Sequence, residues 1–205
     1  MKDLALLVAD KNMDFAMKGV LARPEALGIR AVEYEIRSHV HHDGGVRTTG
    51  PETLALLRGQ FDHGILMLDW EGSGTDLTTA IGLEQELDSR LAPVWHSQAK
   101  SIVIEPELDS WMWGSDKILG QILGWSDQQG IRDWLRDREY QFDENEKPAR
   151  PKEALEELVR KLNRPRSSAI YEQITGKISL SRCIDPAFRR LKDVLRSWFP
   201  GGDFR

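Results

Sequence analysis

The chain has 205 residues, 40% hydrophobic and 30% charged, with a formal net charge of −5. That length accommodates one well-buried domain with at most a smaller appendage, and the acidic balance argues against a broad nonspecific nucleic-acid surface, leaving phosphate to a local basic patch or a bridging metal. The single cysteine, Cys183, excludes an internal disulfide, and no run approaches the ~20 apolar residues of a membrane span, so a cytoplasmic protein with no membrane contact is expected.

The predicted elements alternate. Residues 4–9 form a continuous apolar run suited to a strand buried on both faces, and residues 14–21 carry Phe15, Met17, Val20 and Leu21 as a short helix. Residues 31–36 alternate as a second strand. Residues 39–50, with three glycines and three histidines outside any period, read as a loop, and Pro51 reads as the first-turn proline of the next helix. Residues 65–68 are the third strand, residues 76–91 a helix with Leu77, Ala80, Ile81, Leu83 and Leu87 inward, and residues 101–104 the fourth strand. This order predicts an α/β fold, a parallel sheet of about four strands flanked by helices.

After residue 104 the pattern is helical: 107–113, 116–123, 130–138, 151–162, 167–174 and 186–199. The polar stretch 141–150 reads as a linker, which divides the chain into an α/β core, 1–140, and a helical C-terminal extension, 141–205, packed on that core. Two apolar stripes, Leu155 to Leu162 and Phe188 to Trp198, must be covered. Trp111 and Trp113, two positions apart, are expected to face different ways.

Three acidic groups follow predicted strands: Asp10 with Asp14 after the first; Asp69 and Glu71 after the third; Glu105, Glu107 and Asp109 after the fourth. Ligands of parallel sheets bind outside the carboxyl ends of the strands, so these carboxylates converge on the functional rim, where like charges repel unless a cation or proton is shared. Asp69 and Glu71, two apart on an extended backbone, point the same way and suit Mg²⁺, a hard cation. The expected metal ligands are Asp69, Glu71 and Asp10; Glu105 or Glu107 would orient a water or second ion. Lys11 and Arg47 are the expected phosphate contacts. Glu107 and Asp109 can equally serve a helix dipole, and His39, His41, His42 and Asp43 read as solvated loop residues. The basic run 160–166, followed by Ser167, Ser168 and Tyr171, reads as a solvated helix end in preference to a phosphate-contact patch.

Two stretches beyond these acids, IVIEPELDSWMWGSD and the tail PKEALEELVRKLN followed by RSSAIYEQITGKISLSRCIDPAFRRLKDVL, give most of the chain a resemblance. It resembles small bacterial proteins with a Toprim-like core, related to the nuclease domains of the overcoming-lysogenization-defect class and often associated with anti-phage defence. The resemblance implies a glutamate after the first strand and an Asp-x-Asp pair after the third, holding Mg²⁺ for phosphodiester chemistry. Here the pair reads Asp69 and Glu71, and Val8-Ala9-Asp10 stands where the family has Val-Glu-Gly. The implied function is a component of a bacterial anti-phage defence system, a degenerate or partner-dependent binding module with protein partners in a defence complex and nucleic acid as a further ligand. The alternative is a Mg²⁺-dependent nuclease or phosphodiesterase using Asp69 and Glu71.

Overall fold

A computed structural model describes residues 1–201; residues 202–205 of the expected extension lie outside the described residues. The core alternates as the apolar runs predict: β1 (Lys2–Val8), α1 (Lys11–Leu21), α2 (Pro24–Leu27), β2 (Tyr34–Ser38), α3 (His42–Ala55), β3 (Phe61–Asp69), α4 (Ala80–Trp95) and β4 (Ala99–Ile104). The four strands form one all-parallel sheet in the order β2-β1-β3-β4. Leu6 pairs with Ile36 on one side and with Ile65 on the other, and Met67 pairs with Ile102. Leu4, Leu6, Ile65, Leu66 and Leu68 are fully buried, so the two central strands are covered on both faces, as continuous apolar runs require. The chain reverses direction across the sheet between β1 and β3, and their carboxyl ends therefore form the topological switch point.

Helix α3 is a correction to the loop expected over residues 39–50. It begins at His42 and carries Pro51 in its interior. The glycines that suggested a loop instead let this helix lie close to its neighbours. A Cβ on Gly45 would stand 2.4 Å from His39 Nδ1, and one on Gly50 would stand 2.8 Å from Leu66 Cδ1. Helix α4 starts at Ala80, where the Thr79 side chain accepts from the Gly82 amide, four residues later than expected. Leu77 and Ile81, expected inward, are 39% and 44% exposed.

Beyond β4 a 3₁₀ helix (Leu108–Gly114) is followed by α5 (Asp116–Leu123), α6 (Ile131–Arg136), α7 (Pro151–Lys161), α8 (Ala169–Thr175) and α9 (Pro186–Trp198). These helices close onto the sheet layer. Helix α8 packs on α1, α7 on the 3₁₀ helix, and α9 on β4. The α1–α8 approach is close enough that a Cβ on Gly19 would overlap Thr175 Oγ1, whose hydroxyl donates to Ala16 O at 2.9 Å. Arg190 of α9 holds Glu84 of α4 at 2.8 Å and donates to Val103 O at 3.0 Å, tying tail to sheet. Both Trp111 and Trp113 are buried, because the 3₁₀ path and its kink at Trp113 turn both rings inward. Residues 141–150 fold back on themselves through a bridge between Phe142 and Pro148.

Candidate functional site

The ends of β1 and β3 and the segment after β4 supply acids to one place, each fixed by a local bond. Asp10 lies just beyond β1 and caps α1, accepting from the Met13 amide at 2.9 Å. Asp69 is the last residue of β3, and its Oδ1 accepts from the Leu108 amide at 2.9 Å, pinning the start of the 3₁₀ helix. Asp43, in the first turn of α3, accepts from the Asp69 amide at 2.8 Å. Asp109 accepts from the Tyr171 hydroxyl of α8 at 2.7 Å. Glu107 accepts from the Lys152 amide at 3.2 Å, and the Lys152 ammonium stands 4.0 Å from its second oxygen.

Burial and mutual repulsion push Asp69, Asp43, Glu107 and Asp109 toward their protonated forms. Burial holds the Asp69 carboxyl well above the usual range, and the charges of Asp43, Asp109 and Asp10 add to it against the Leu108 amide. Asp43 is raised by burial and by Asp10, with the Asp69 amide opposing. Glu107 is pushed up to about 7 by burial and by Asp109, and Lys152 opposes. Asp109 is raised by burial to about 6, against the Tyr171 hydroxyl and Lys152. Lys152 loses charge stability through burial, yet Glu107, Asp109 and Asp69 together hold its amine above the ordinary value. The result is a cluster of carboxylates with one ammonium beside it.

Several expected site residues stand elsewhere. Strand β3 ends at Asp69, so Glu71 lies in the following turn, exposed, and does not share Asp69's direction; its charge reaches Glu107. Asp43 takes the place beside Asp69 that was expected of Glu71. Glu105 is exposed and lines a separate hollow with Thr79 and Arg190. Lys11 is exposed, with its ammonium 5.8 Å from the Phe15 ring centre. Arg47 donates through Nε to Ser73 O at 2.7 Å and so holds the 70–74 turn in place of a phosphate. Asp14 pairs with Lys18 at 3.0 Å. Sequence reasoning missed Lys152 and set Asp43 and Tyr171 aside in favour of solvated readings, because each arrives from a different crossover or tail helix. Local spacing carries no sign of that convergence.

Against the acid cluster lies a hollow of about 270 Å³ walled by Asn12, Lys152, Arg166, Ser167, Ser168 and Tyr171. Ser168 donates to Asn12 Oδ1 at 2.7 Å, and Arg166 pairs with Glu156 at 2.5 Å. Tyr171 and Lys152 belong to both the hollow and the cluster.

The donor set fits a hard cation: it is all oxygen, buried and under-neutralised. Among the described residues, no three His, Cys, Asp or Glu side chains stand together in a ready metal-holding arrangement.

Fold and site together define an α/β protein with an acid cluster at the switch point of a doubly wound parallel sheet. Compared with known proteins, the chain matches no family model, no curated protein and no solved structure.

Proposed function

We propose that the acidic rim is a proton- and cation-responsive binding site for a phosphate-bearing ligand, and that the chain works as a partner-dependent binding module of a bacterial anti-phage defence system. The supporting observation is the continuity of the acid cluster with the hollow of Lys152, Arg166, Ser167 and Ser168 through Tyr171 and Lys152. Carboxylates can take a divalent cation while the neighbouring cations and hydroxyls take phosphate oxygens. A bound Mg²⁺ would supply charge neutralisation and a clamp for phosphoryl oxygens. Lys152 and Arg166 would orient the anion, and Tyr171 would hold Asp109 in place.

Binding is favoured over cleavage because the acids already serve as scaffold. Asp10 caps α1, Asp43 holds the end of β3, Asp69 holds the 3₁₀ helix and Asp109 receives Tyr171. Ala9, at the position of the family's glutamate, is 1% exposed in the core. The alternative is a Mg²⁺-dependent nuclease using Asp69 and Glu71. Its support is the all-oxygen donor set at the switch point.

Calorimetric titration with Mn²⁺ at pH 8 tests the cation site: Asp69→Asn should weaken binding at least tenfold, about 1.4 kcal/mol, and equal affinities would remove the site. Incubation of the purified chain with DNA and RNA in Mn²⁺ separates the two readings. Little or no cleavage is expected, and vigorous cleavage abolished by Asp69→Asn would replace the binding module with the nuclease.

A further inference from the structure

A second cavity, of about 630 Å³, opens on the other end of the 3₁₀ helix. Its volume lies within the roughly 300–1,000 Å³ of small-molecule sites. Five cationic side chains, Arg23, Arg132, Lys147, Lys177 and Arg182, line it together with Trp111, and among the described residues no carboxylate does, in a chain of net charge −5.

The cations are only partly neutralised from outside the wall. Arg132 pairs with Asp116 at 3.0 Å and Lys147 with Asp185 at 3.3 Å. Arg23 spends one nitrogen on the carbonyls of Thr175 and Ile178, and Arg182 donates to Ser179 Oγ at 3.2 Å. Among the described residues, neither Arg23, Lys177 nor Arg182 has a carboxylate partner.

Two buried donors in this wall also have no acceptor. Trp111 is 2% exposed, and its Nε1–H finds no partner among the described residues; the same holds for the Arg132 Nε–H. Both nitrogens are closed off from the open space of the cavity, so recognition there rests on the cationic side chains that line it. An anion with several oxygens meets that charge.

We propose that this cavity binds a phosphate-bearing small molecule, gripped by Arg23, Arg132, Lys177 and Arg182. The site is distinct from the acidic rim, from which Ser110 and Trp111 separate it: Asp109, the preceding residue, belongs to the rim. It therefore does not depend on the rim's binding a cation.

The test is calorimetry on the full chain in metal-free buffer with EDTA, using inorganic phosphate, pyrophosphate and ATP as probes. Saturable one-to-one binding is expected. The double variant Lys177→Glu, Arg182→Glu should weaken it at least tenfold; both residues are exposed, so an unchanged melting temperature certifies its fold. Asp69→Asn should leave it unchanged. Equal affinities for pyrophosphate and ATP would identify the phosphate group as the feature read, and an ATP preference of tenfold or more would add the nucleoside; both support the site. No saturable binding of any probe at millimolar concentration, or undiminished binding by the double variant, would overturn it.

Discussion

The Tyr171 hydroxyl of α8 donates to the Asp109 carboxylate at 2.7 Å, joining residues 62 positions apart and locking the C-terminal helices to the acidic rim. Burial and the Asp109 charge raise the Tyr171 hydroxyl far above its ordinary value, so it remains a donor across the whole working pH range. Tyr171→Phe leaves a buried carboxylate with one donor fewer and should cost about 1–3 kcal/mol in urea unfolding at pH 8. The loss should be smaller at pH 5, below the Asp109 value of about 6, where that group is protonated. An equal loss at both pH values would show that the hydroxyl acts by packing alone.

Stability without added metal should fall as pH rises. Glu107 moves from an ordinary 4.5 to about 7 and Asp109 from 3.8 to about 6 on folding, so the folded state binds more protons than the unfolded one in that window. Their contribution is complete below the unfolded values and lost as pH passes the folded ones, at most about 3 kcal/mol for each group. Glu107→Gln keeps an oxygen for the Lys152 amide and should flatten the slope between pH 4.5 and 7. Unfolding free energies in EDTA at half-unit pH steps measure it, and a flat wild-type profile would contradict the repulsion described.

Divalent cation should restore what high pH removes. Mn²⁺ is expected to raise the melting temperature more at pH 8 than at pH 5, because protons compete for the same carboxylates at the lower pH. Chelation with EDTA should return the protein to its metal-free melting point. The same increment at both pH values, or in Asp69→Asn, would place the ion elsewhere.

Ala9→Glu tests whether a carboxylate placed directly after β1 would change the chemistry of the rim. Ala9 is 1% exposed among core residues, so the new carboxylate enters a filled, apolar space and should destabilise by about 2–5 kcal/mol without creating cleavage. Thermal melting and a DNA-nicking assay read the two outcomes, and a stable, metal-dependent nuclease would show that the rim needs only that one group.

Helix α3 owes its position to close glycine contacts. Gly45→Ala drives a methyl into the His39 ring and should cost about 1–3 kcal/mol, whereas Gly59→Ala, with nothing within 4 Å of its Cβ, should stay within about 0.5 kcal/mol. Comparable losses at both sites would point to backbone freedom in place of crowding.

The sequence by itself determined the α/β class, because continuous apolar runs such as residues 4–8 and 65–68 can be satisfied only by strands covered on both faces, and caps such as Asp185 before Pro186 mark helix starts. It also placed Asp10 and Asp69 at strand ends. Tertiary structure decided the rest of the site. Asp43 looked like a solvated loop residue until packing of glycines against His39 and Leu66 made its segment a helix; Glu71 lost its place because β3 stops at Asp69. Lys152 and Tyr171 come from tail helices, and the five cations of the second cavity from four separate stretches of chain. Periodicity reports which face of an element is buried, but the meeting of distant side chains depends on how elements dock, and that is set by core packing summed over the whole molecule.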